Sequence, residues 1–265
     1  MTNELERELG CTLFDRTNRA TVLTEGGMRL RQRAEEIVSL VDQTERDITD
    51  RGGEFAGNIR IGAGETRAMS VLAEVFAGLR REHPPRVTRE LFTGNADTAE
   101  GRLERGLLDF ALLLEPVKLE KYEWVRLPVT DRSGVVVAAN SERAGLDAVA
   151  PEVLARMPLV VSSRTTNRDI DFEEWSGGGV RREDLNIVSP HDLAGNATWL
   201  VKRGGLCATS IDHLFHLNDD NLRSIPLDPP VSIGSYVVWK KYRLRSRTCE
   251  EFLRRLRIAC EWQGA

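Results

Sequence analysis

Between residues 24 and 50, apolar positions recur at alternating steps of four and three residues, the spacing of one helix face. One position of the stripe, Thr44, is polar, and charged residues surround it. The pattern predicts a long helix, capped by Thr24 and ending near Asp50, with the narrow seam typical of a coiled coil. We expect a helix from a second subunit to cover this seam; the alternative is packing of the helix on the C-terminal part of its own chain. The predicted dimerisation residues are Leu30, Ala34, Ile37, Val41 and Ile48.

A different pattern precedes this helix. Residues 1–9 are typical of the end of a helix that stops at Gly10. Two short runs with strand character follow, Cys11–Asp15 and Ala20–Leu23, and the polar residues 16–19 join them. These runs predict a β-hairpin with a basic tip.

From residue 58 onwards, strand patterns alternate with amphipathic helices, which predicts parallel sheets covered by helices on both faces. We therefore expect an α/β fold made of two small units with a cleft at their boundary. The first unit is predicted to contain strand Asn58–Ala63, helix Thr66–Arg81, strand Val87–Thr93, helix Asp97–Arg105 and strand Leu107–Leu114. The second set is predicted as strand Gly134–Ala139, helix Asp147–Arg156, strand Leu159–Ser162, helix Thr166–Trp175, strand Asn186–Ser189, helix His191–Arg203, strand Leu206–Thr209, helix Ile211–Leu217, strands Arg223–Pro226 and Ser235–Lys240, and a final helix capped by Ser246.

The charge balance limits the partners of the chain. Its 265 residues include 37 basic and 41 acidic side chains, for a net charge of −4. Bulk attraction to nucleic acid or to an anionic membrane is therefore not supported, and any DNA contact has to come from a local basic cluster. No apolar run is long enough to span a bilayer, and the first residues lack the features of an export signal. We expect a cytoplasmic protein with no membrane partner.

Several segments at the predicted strand ends carry groups that suit a small ligand. In open parallel sheets, ligands bind beyond the carboxyl ends of the strands and near helix N-termini. Hydroxyls, backbone N–H groups and one guanidinium in these segments suit a small anion or carboxylate, whereas capping and turn formation is the alternative. The ligand-binding residues predicted on this basis are Gly64, Glu65, Thr66, Asn95, Ser162, Ser163, Arg164, His191 and Asn196.

The sequence carries no pattern that indicates catalysis. It has no glycine-rich phosphate loop and no dinucleotide fingerprint. No serine has the context of a nucleophile elbow. We therefore predict no enzymatic activity, no cofactor and no metal site.

Local motifs give a more specific indication. Residues 4–19, with the run ELERELGCTLFDRTNR, and residues 22–27, VLTEGG, closely resemble LysR-type transcriptional regulators. Residues 57–62, GNIRIG, are similar to the first strand of the effector domain in that family, and residues 103–111, LERGLLDFA, are similar to a later element. Further matches are VKRGGLCA at 201–208 and VWKK at 238–241, so the resemblance covers nearly the whole chain.

This resemblance implies a domain organisation. Residues 1–23 correspond to a partial winged helix-turn-helix, namely the end of the recognition helix and the wing, and residues 24–57 to the linker and dimerisation helix with its hinge. Residues 58–265 correspond to a two-lobed, periplasmic-binding-protein-like effector domain, with lobe I at about 58–131 and 235–265 and lobe II at about 132–234. Roughly 30 residues of the family's DNA-binding domain would lie ahead of Glu4.

The function implied is that of a regulator that binds promoter DNA and senses a small metabolite as a homodimer or homotetramer. The positions matched to DNA contacts are Thr2, Asn3, Arg16 and Arg19. Residues 1–57 carry more acidic than basic side chains, so DNA binding by this segment alone is expected to be weak. The alternative is a stand-alone dimeric small-molecule-binding protein without specific DNA binding.

Overall fold

The computed structural model describes residues 2–16, 21–49, 57–83, 87–162, 171–212, 214, 220–242 and 245–261. The chain divides into two compact units. The first contains residues 1–54 together with 105–107, and the second contains the remainder. In the described part of the chain, every helix is too short or too polar to cross a membrane.

The first unit contains two helices and a hairpin. Helix α1 (Thr2–Leu9) ends at Gly10, whose φ of +65° suits a residue without a side chain. The antiparallel strands β1 (Phe14–Arg16) and β2 (Thr21–Leu23) form the predicted hairpin, which starts later than expected, and α2 (Glu25–Thr49) is the predicted long helix.

Hydrogen bonds join the start of the hairpin to α1 and to the start of α2. The Glu6 carboxylate accepts from the Leu13 N–H at 2.6 Å, and the Thr24 hydroxyl donates to the Thr12 carbonyl at 2.6 Å. The Gly27 N–H donates to the Thr24 hydroxyl oxygen at 3.0 Å, which is the predicted N-cap. A Cβ at Gly27 would lie 2.1 Å from the Leu13 carbonyl oxygen, so this close approach requires glycine.

The first lobe of the second unit is built around a parallel sheet, as predicted, because β3 pairs in parallel with both β4 and β5. Helices α3 and α8 pack on one face of the sheet through the buried Phe110 and Phe252, and α4 packs on the other face through Ala99 and Leu103. The elements are β3 (Gly57–Ala63), α3 (Met69–Glu82), β4 (Val87–Thr93), α4 (Ala96–Glu104), β5 (Phe110–Leu114), β11 (Ser232–Lys240) and α8 (Arg247–Glu261).

One strand runs through both lobes. Strand β6 (Tyr122–Ala138) is 17 residues long, whereas the sequence predicted a strand only from Gly134. It pairs antiparallel with β11 along 122–132, and its last residues pair with strands of the second lobe. The predicted lobe boundary at 131/132 falls inside β6, so this strand connects the two sheets into one.

The second lobe repeats the parallel arrangement. Strand β7 pairs in parallel with β8 and β9, and β6 pairs antiparallel with β9 and β10. Its elements are α5 (Pro151–Ala155), β7 (Leu159–Ser162), α6 (Phe172–Trp175), β8 (Ile187–His191), α7 (Ala194–Gly204), β9 (Cys207–Ile211) and β10 (Leu222–Pro226).

Several boundaries in this lobe differ from the prediction, and α5 begins at Pro151 rather than at Asp147. His191 ends β8, and α7 begins at Ala194 rather than at His191, since Leu193 has extended backbone angles. Ile211 lies in β9 rather than in a helix, and most of the helix predicted at 211–217 lies outside the described residues, as does the start of the helix predicted at 166–175. The α/β class with two lobes is confirmed.

Candidate functional site

A cavity of about 150 Å³ lies between the two lobes. One buried water needs roughly 10–15 Å³, so this volume is large enough for a small organic molecule. The cavity sits at the carboxyl ends of the parallel strands β3, β7, β8 and β9, where the sequence predicted a ligand site. Its lining residues are Gly64, Glu65, Gly94, Asn95, Ala96, Leu112, Leu113, Leu114, Glu115, Ser133, Ser162, His191, Asp192, Leu193, Ala194, Thr209, Ser210, Ile211, Leu214 and Ile233.

Two hydrogen bonds cross the cavity from lobe to lobe. The Glu65 carboxylate, in the loop after β3, accepts from the backbone N–H of Ala194 at 2.8 Å. The Asn95 amide, just ahead of α4, donates to the Asp192 carboxylate at 3.1 Å. The other end of the Asn95 amide accepts from the Thr98 N–H at 2.9 Å and so caps α4. The Asn95 side chain therefore has a local role and an inter-lobe role, and the Glu65 side chain has an inter-lobe role.

Thr66 was predicted to bind ligand, but it is not among the lining residues. Its hydroxyl donates to the Asp131 carboxylate at 2.8 Å and accepts from the Ala68 N–H at 3.1 Å. Asp131 is completely buried in β6, and the Arg67 guanidinium donates to its other oxygen at 3.0 Å. Thr66 therefore anchors the loop after β3 to the strand that both lobes share.

Burial affects the ionisation of this aspartate. It raises the pKa of Asp131 above its ordinary value, and the hydrogen bond from Thr66 and the charge of Arg67 offset part of that rise. Thr66 and Arg67 thus stabilise the charged form of Asp131, which burial in the protein interior disfavours.

His191 lies in the cavity wall with both ring nitrogens buried. Burial lowers the pKa of His191, and the backbone of Thr209 and of Leu193 raises it in part, as do the carboxylates of Glu65 and Asp192. The ring is therefore held in its neutral form at pH 7, in which one nitrogen donates and the other accepts.

The Thr209 hydroxyl was not predicted as a site residue. Thr209 lies on β9 in the cavity wall and is 7% exposed. Its buried hydroxyl has no hydrogen-bond partner within the described part of the chain. A buried hydroxyl without a partner costs about 1–3 kcal/mol. The sequence signal was available, because Thr209 ends the predicted strand Leu206–Thr209 just as Ser162 ends the predicted strand Leu159–Ser162.

The remaining ligand-binding predictions have different outcomes. Gly64, Glu65, Asn95, Ser162 and His191 come together in the cavity wall. Asn196 is exposed on α7 and is not among the lining residues. Ser163 and Arg164 lie outside the described residues. The carboxylates of Glu115 and Asp192 also line the cavity, although neither residue is among the predicted ligand-binding residues.

The positions predicted for DNA contact belong to the first unit. Thr2 and Asn3 begin α1, Arg16 is the last residue of β1, and Arg19 lies outside the described residues. On α2, Ile37 is 61% exposed and Val41 is 50% exposed in the single chain, and Ala34 is also exposed. Leu30 is half-buried, and the Ile48 side chain lies outside the described part. Among the described residues, no group of three or more His, Cys, Asp or Glu side chains could hold a metal ion.

The fold and the cavity define a class: a two-lobed α/β ligand-binding domain of the periplasmic-binding-protein type, which follows the long helix α2 in the chain. A family model described as "LysR substrate binding domain" matches residues 52–261, and the chain belongs to the LysR family.

Named relatives agree with this assignment. The chain is 30% identical over 171 residues to the HTH-type transcriptional regulator YofA of Bacillus velezensis, an alignment that covers 64% of this chain and 58% of that protein. It is 35% identical over 115 residues to IlvY of Escherichia coli K12, also an HTH-type transcriptional regulator, covering 43% and 38%. The matched segment thus spans less than two thirds of these relatives.

A solved structure shows the same fold. CbnR, a LysR family transcriptional regulator, matches with a TM-score of 0.73 at 15% identity over 98% of this chain and 87% of CbnR. CbnR has also been solved in complex with its target DNA.

Proposed function

We propose that the chain is a transcriptional regulator of the LysR type whose second unit binds a small-molecule effector in the cavity between its lobes. The cavity itself carries this proposal, because it combines strand ends from both lobes with hydrogen bonds that join the lobes across it. A molecule that enters the cavity changes these contacts, and so shifts the arrangement of the lobes. The relatives are named as regulators and not as enzymes, which supports a function in binding rather than catalysis.

The effector is proposed to be a small anion or carboxylate. The N-terminus of α7, whose first N–H already binds a carboxylate, faces the cavity at Ala194. The hydroxyl-bearing residues Ser162, Thr209 and Ser210 lie in the same wall, and Leu112–Leu114 supply an apolar surface for the body of the ligand.

The first unit is proposed to contact promoter DNA and to form the dimer. The hairpin β1–β2 corresponds to the wing, and Thr2, Asn3, Arg16 and Arg19 remain the proposed DNA-contacting positions. The exposed apolar residues of α2 are the proposed dimer seam, and a homodimer or a homotetramer of the chain in the cytoplasm is the expected active form.

A gel-shift experiment tests the regulatory function. The chain is titrated against the DNA upstream of its own gene at low salt, where phosphate contacts are strongest. We expect a weak retarded complex, since residues 1–57 are acidic overall, and the double variant Arg16→Ala/Arg19→Ala weakens it further, whereas Arg80→Ala, which removes an exposed arginine from α3, leaves it unchanged. Absence of any shift over many promoter fragments, with a small molecule still bound, would favour the stand-alone binding protein instead.

A further inference from the structure

We propose that Glu65 is a built-in occupant of the anion position in this cavity, and that a small monocarboxylate effector binds by replacing the Glu65 carboxylate at the N-terminus of α7. The inference rests on the proposed effector site, but its physical basis is a contact within the chain. It identifies both the chemical class of the ligand and the side chain that the ligand displaces.

The first observation is where Glu65 binds. Helix α7 is 11 residues long, and the first N–H groups of a helix have no partner inside the helix. The Ala194 N–H donates to the Glu65 carboxylate at 2.8 Å, and the helix dipole favours a negative charge at that end. The next residue is Gly195, where a Cβ would lie 3.7 Å from the other Glu65 oxygen, so the position has room for a carboxylate. Glu65 itself is exposed, so solvent and small solutes reach the contact.

The second observation is an unused donor in the same cavity. Thr209 is only 7% exposed, and its buried hydroxyl has no hydrogen-bond partner within the described residues. Thr209 and the first residue of α7, Ala194, line the same cavity, with His191 and Leu193 also in its wall. An anion that replaces Glu65 can therefore accept from Thr209 as well as from Ala194, whereas the Glu65 carboxylate leaves the Thr209 hydroxyl unsatisfied.

The charges in the wall favour a ligand with a single negative charge. The described lining residues include the carboxylates of Glu65, Glu115 and Asp192 and no lysine or arginine. Glu115 is held by the Gly234 N–H and the Tyr236 hydroxyl, both at 2.8 Å, and Asp192 accepts from Asn95. When the exposed Glu65 side chain turns to solvent, a monocarboxylate replaces its single negative charge at the N-terminus of α7, whereas a dianion such as phosphate brings a second charge.

The exchange also couples binding to the lobes. Glu65 belongs to the first lobe and Ala194 to the second, so the displacement removes a hydrogen bond that joins the lobes across the cavity. The effector therefore binds more tightly to the arrangement in which Glu65 has left Ala194 than to the arrangement in which the two are joined. Such a difference in affinity is what shifts a protein from one arrangement to another.

Chemical rescue with acetate tests the proposal on the whole chain. Glu65→Ala removes the built-in carboxylate, and we expect the Ala194 amide to exchange its hydrogen about tenfold faster as a result. Acetate should restore the protection of Ala194 and raise the melting temperature of Glu65→Ala, relative to chloride at equal ionic strength. Phosphate should restore the protection of Ala194 and the melting temperature to a smaller extent than acetate does. Glu74→Ala, which removes an exposed glutamate from α3, is the matched control and should not respond to acetate.

Three results would overturn the proposal: unchanged exchange of Ala194 in Glu65→Ala, equal effects of acetate and chloride, or an equal response of Glu74→Ala. If Glu65→Ala does not fold, Glu65→Gln takes its place, since it keeps the length of the side chain and loses only its charge. The Ala194 amide should exchange faster in Glu65→Gln than in the native chain. Equal exchange rates would contradict the proposal. The exchange experiment contains neither DNA nor the natural effector. A negative result would therefore contradict the role of Glu65 without affecting the gel-shift result, and a negative gel shift would contradict DNA binding without affecting the role of Glu65.

Discussion

Two threonines near the cavity have opposite hydrogen-bonding states: Thr66 lies in the loop after β3, and Thr209 lies within β9. Thr66 uses its hydroxyl fully, on Asp131 and on the Ala68 N–H. Thr209 has a buried hydroxyl without a partner in the described part of the chain. The same substitution, threonine to valine, therefore separates a structural role from a binding role.

Thr66→Val is expected to lower the free energy of unfolding by about 1–3 kcal/mol, because it leaves the completely buried Asp131 without one of its donors. It should also raise the pKa of Asp131 further. Urea unfolding at neutral pH measures the first effect. Unchanged stability would show that the bond between Thr66 and Asp131 contributes nothing to the fold.

Thr209→Val is expected to leave stability unchanged or to increase it, because valine has a similar volume and removes an unsatisfied buried hydroxyl. In the same variant, the affinity for an effector identified by thermal-shift screening should fall about tenfold, as expected for one lost hydrogen bond. Calorimetry measures this affinity. Equal affinity in the native chain and the variant would remove Thr209 from the binding site.

At the scale of the elements, an ion-pair network joins α8 to α3. The Arg255 guanidinium contacts both oxygens of Glu82 at 2.9 and 2.6 Å, and it also donates to Glu251 at 2.7 Å. Arg254 donates to both oxygens of Glu251. The hydrogen bonds from Arg254 and then from Arg255 lower the pKa of Glu251 to about 2, against partial burial, which raises it. These two helices cover the same face of the first lobe, so the network fixes their relative position.

Glu251→Gln is therefore expected to show a pH-dependent loss of stability. A carboxylate whose pKa is lowered by folding stabilises the native state above the pKa of the unfolded chain, and this contribution disappears as the pH falls through the folded value. The variant should be less stable than the native chain near pH 7, and the difference should shrink as the pH falls from about 4.5 towards about 2. Thermal unfolding across this range checks the trend, with Glu250→Gln on the same helix as the control. A difference that is constant with pH would contradict it.

Helix α2 carries the dimer prediction. Ile37 and Val41 are exposed in the single chain, and exposed apolar side chains on one stripe favour a partner helix. Ile37→Asp should shift the chain from dimer to monomer, because a charge in the seam has no partner there. Light scattering measures the mass. Val38→Asp makes the same chemical change one position off the seam, at a residue that is 58% exposed, and should have a smaller effect. An unchanged mass for Ile37→Asp would refute the coiled coil.

At the scale of the whole molecule, the sequence predicted the alternating strands and helices because the apolar faces of elements such as α3 and α8 are regular. It also predicted five residues of the cavity wall, because carboxyl ends of parallel strands meet at one edge of a sheet. It missed the first half of β6, where the charged Glu123 and Arg126 lie between the buried Tyr122 and Leu127, and where Pro128 interrupts the pattern.

Other errors came from contacts that are distant in sequence. The partner of Thr66 is Asp131, 65 positions further along the chain, so a local pattern could not tell whether the hydroxyl faces the ligand or a neighbouring strand. His191 was placed in a helix because the polar residues that follow it are typical of a helix start, whereas pairing with β7 extends the strand through His191. In both cases tertiary pairing decided the outcome.

The position of β11 has a consequence for biosynthesis. This strand lies between β5 and β6 in the first lobe, yet it follows every strand of the second lobe in the chain. A nascent chain that has not yet reached residue 232 therefore carries the edge of β5 without its neighbour, and exposed strand edges of this kind pair readily with other chains. The first lobe can close its sheet only after the ribosome has translated the whole of the second, so the lobe that begins earlier is completed later.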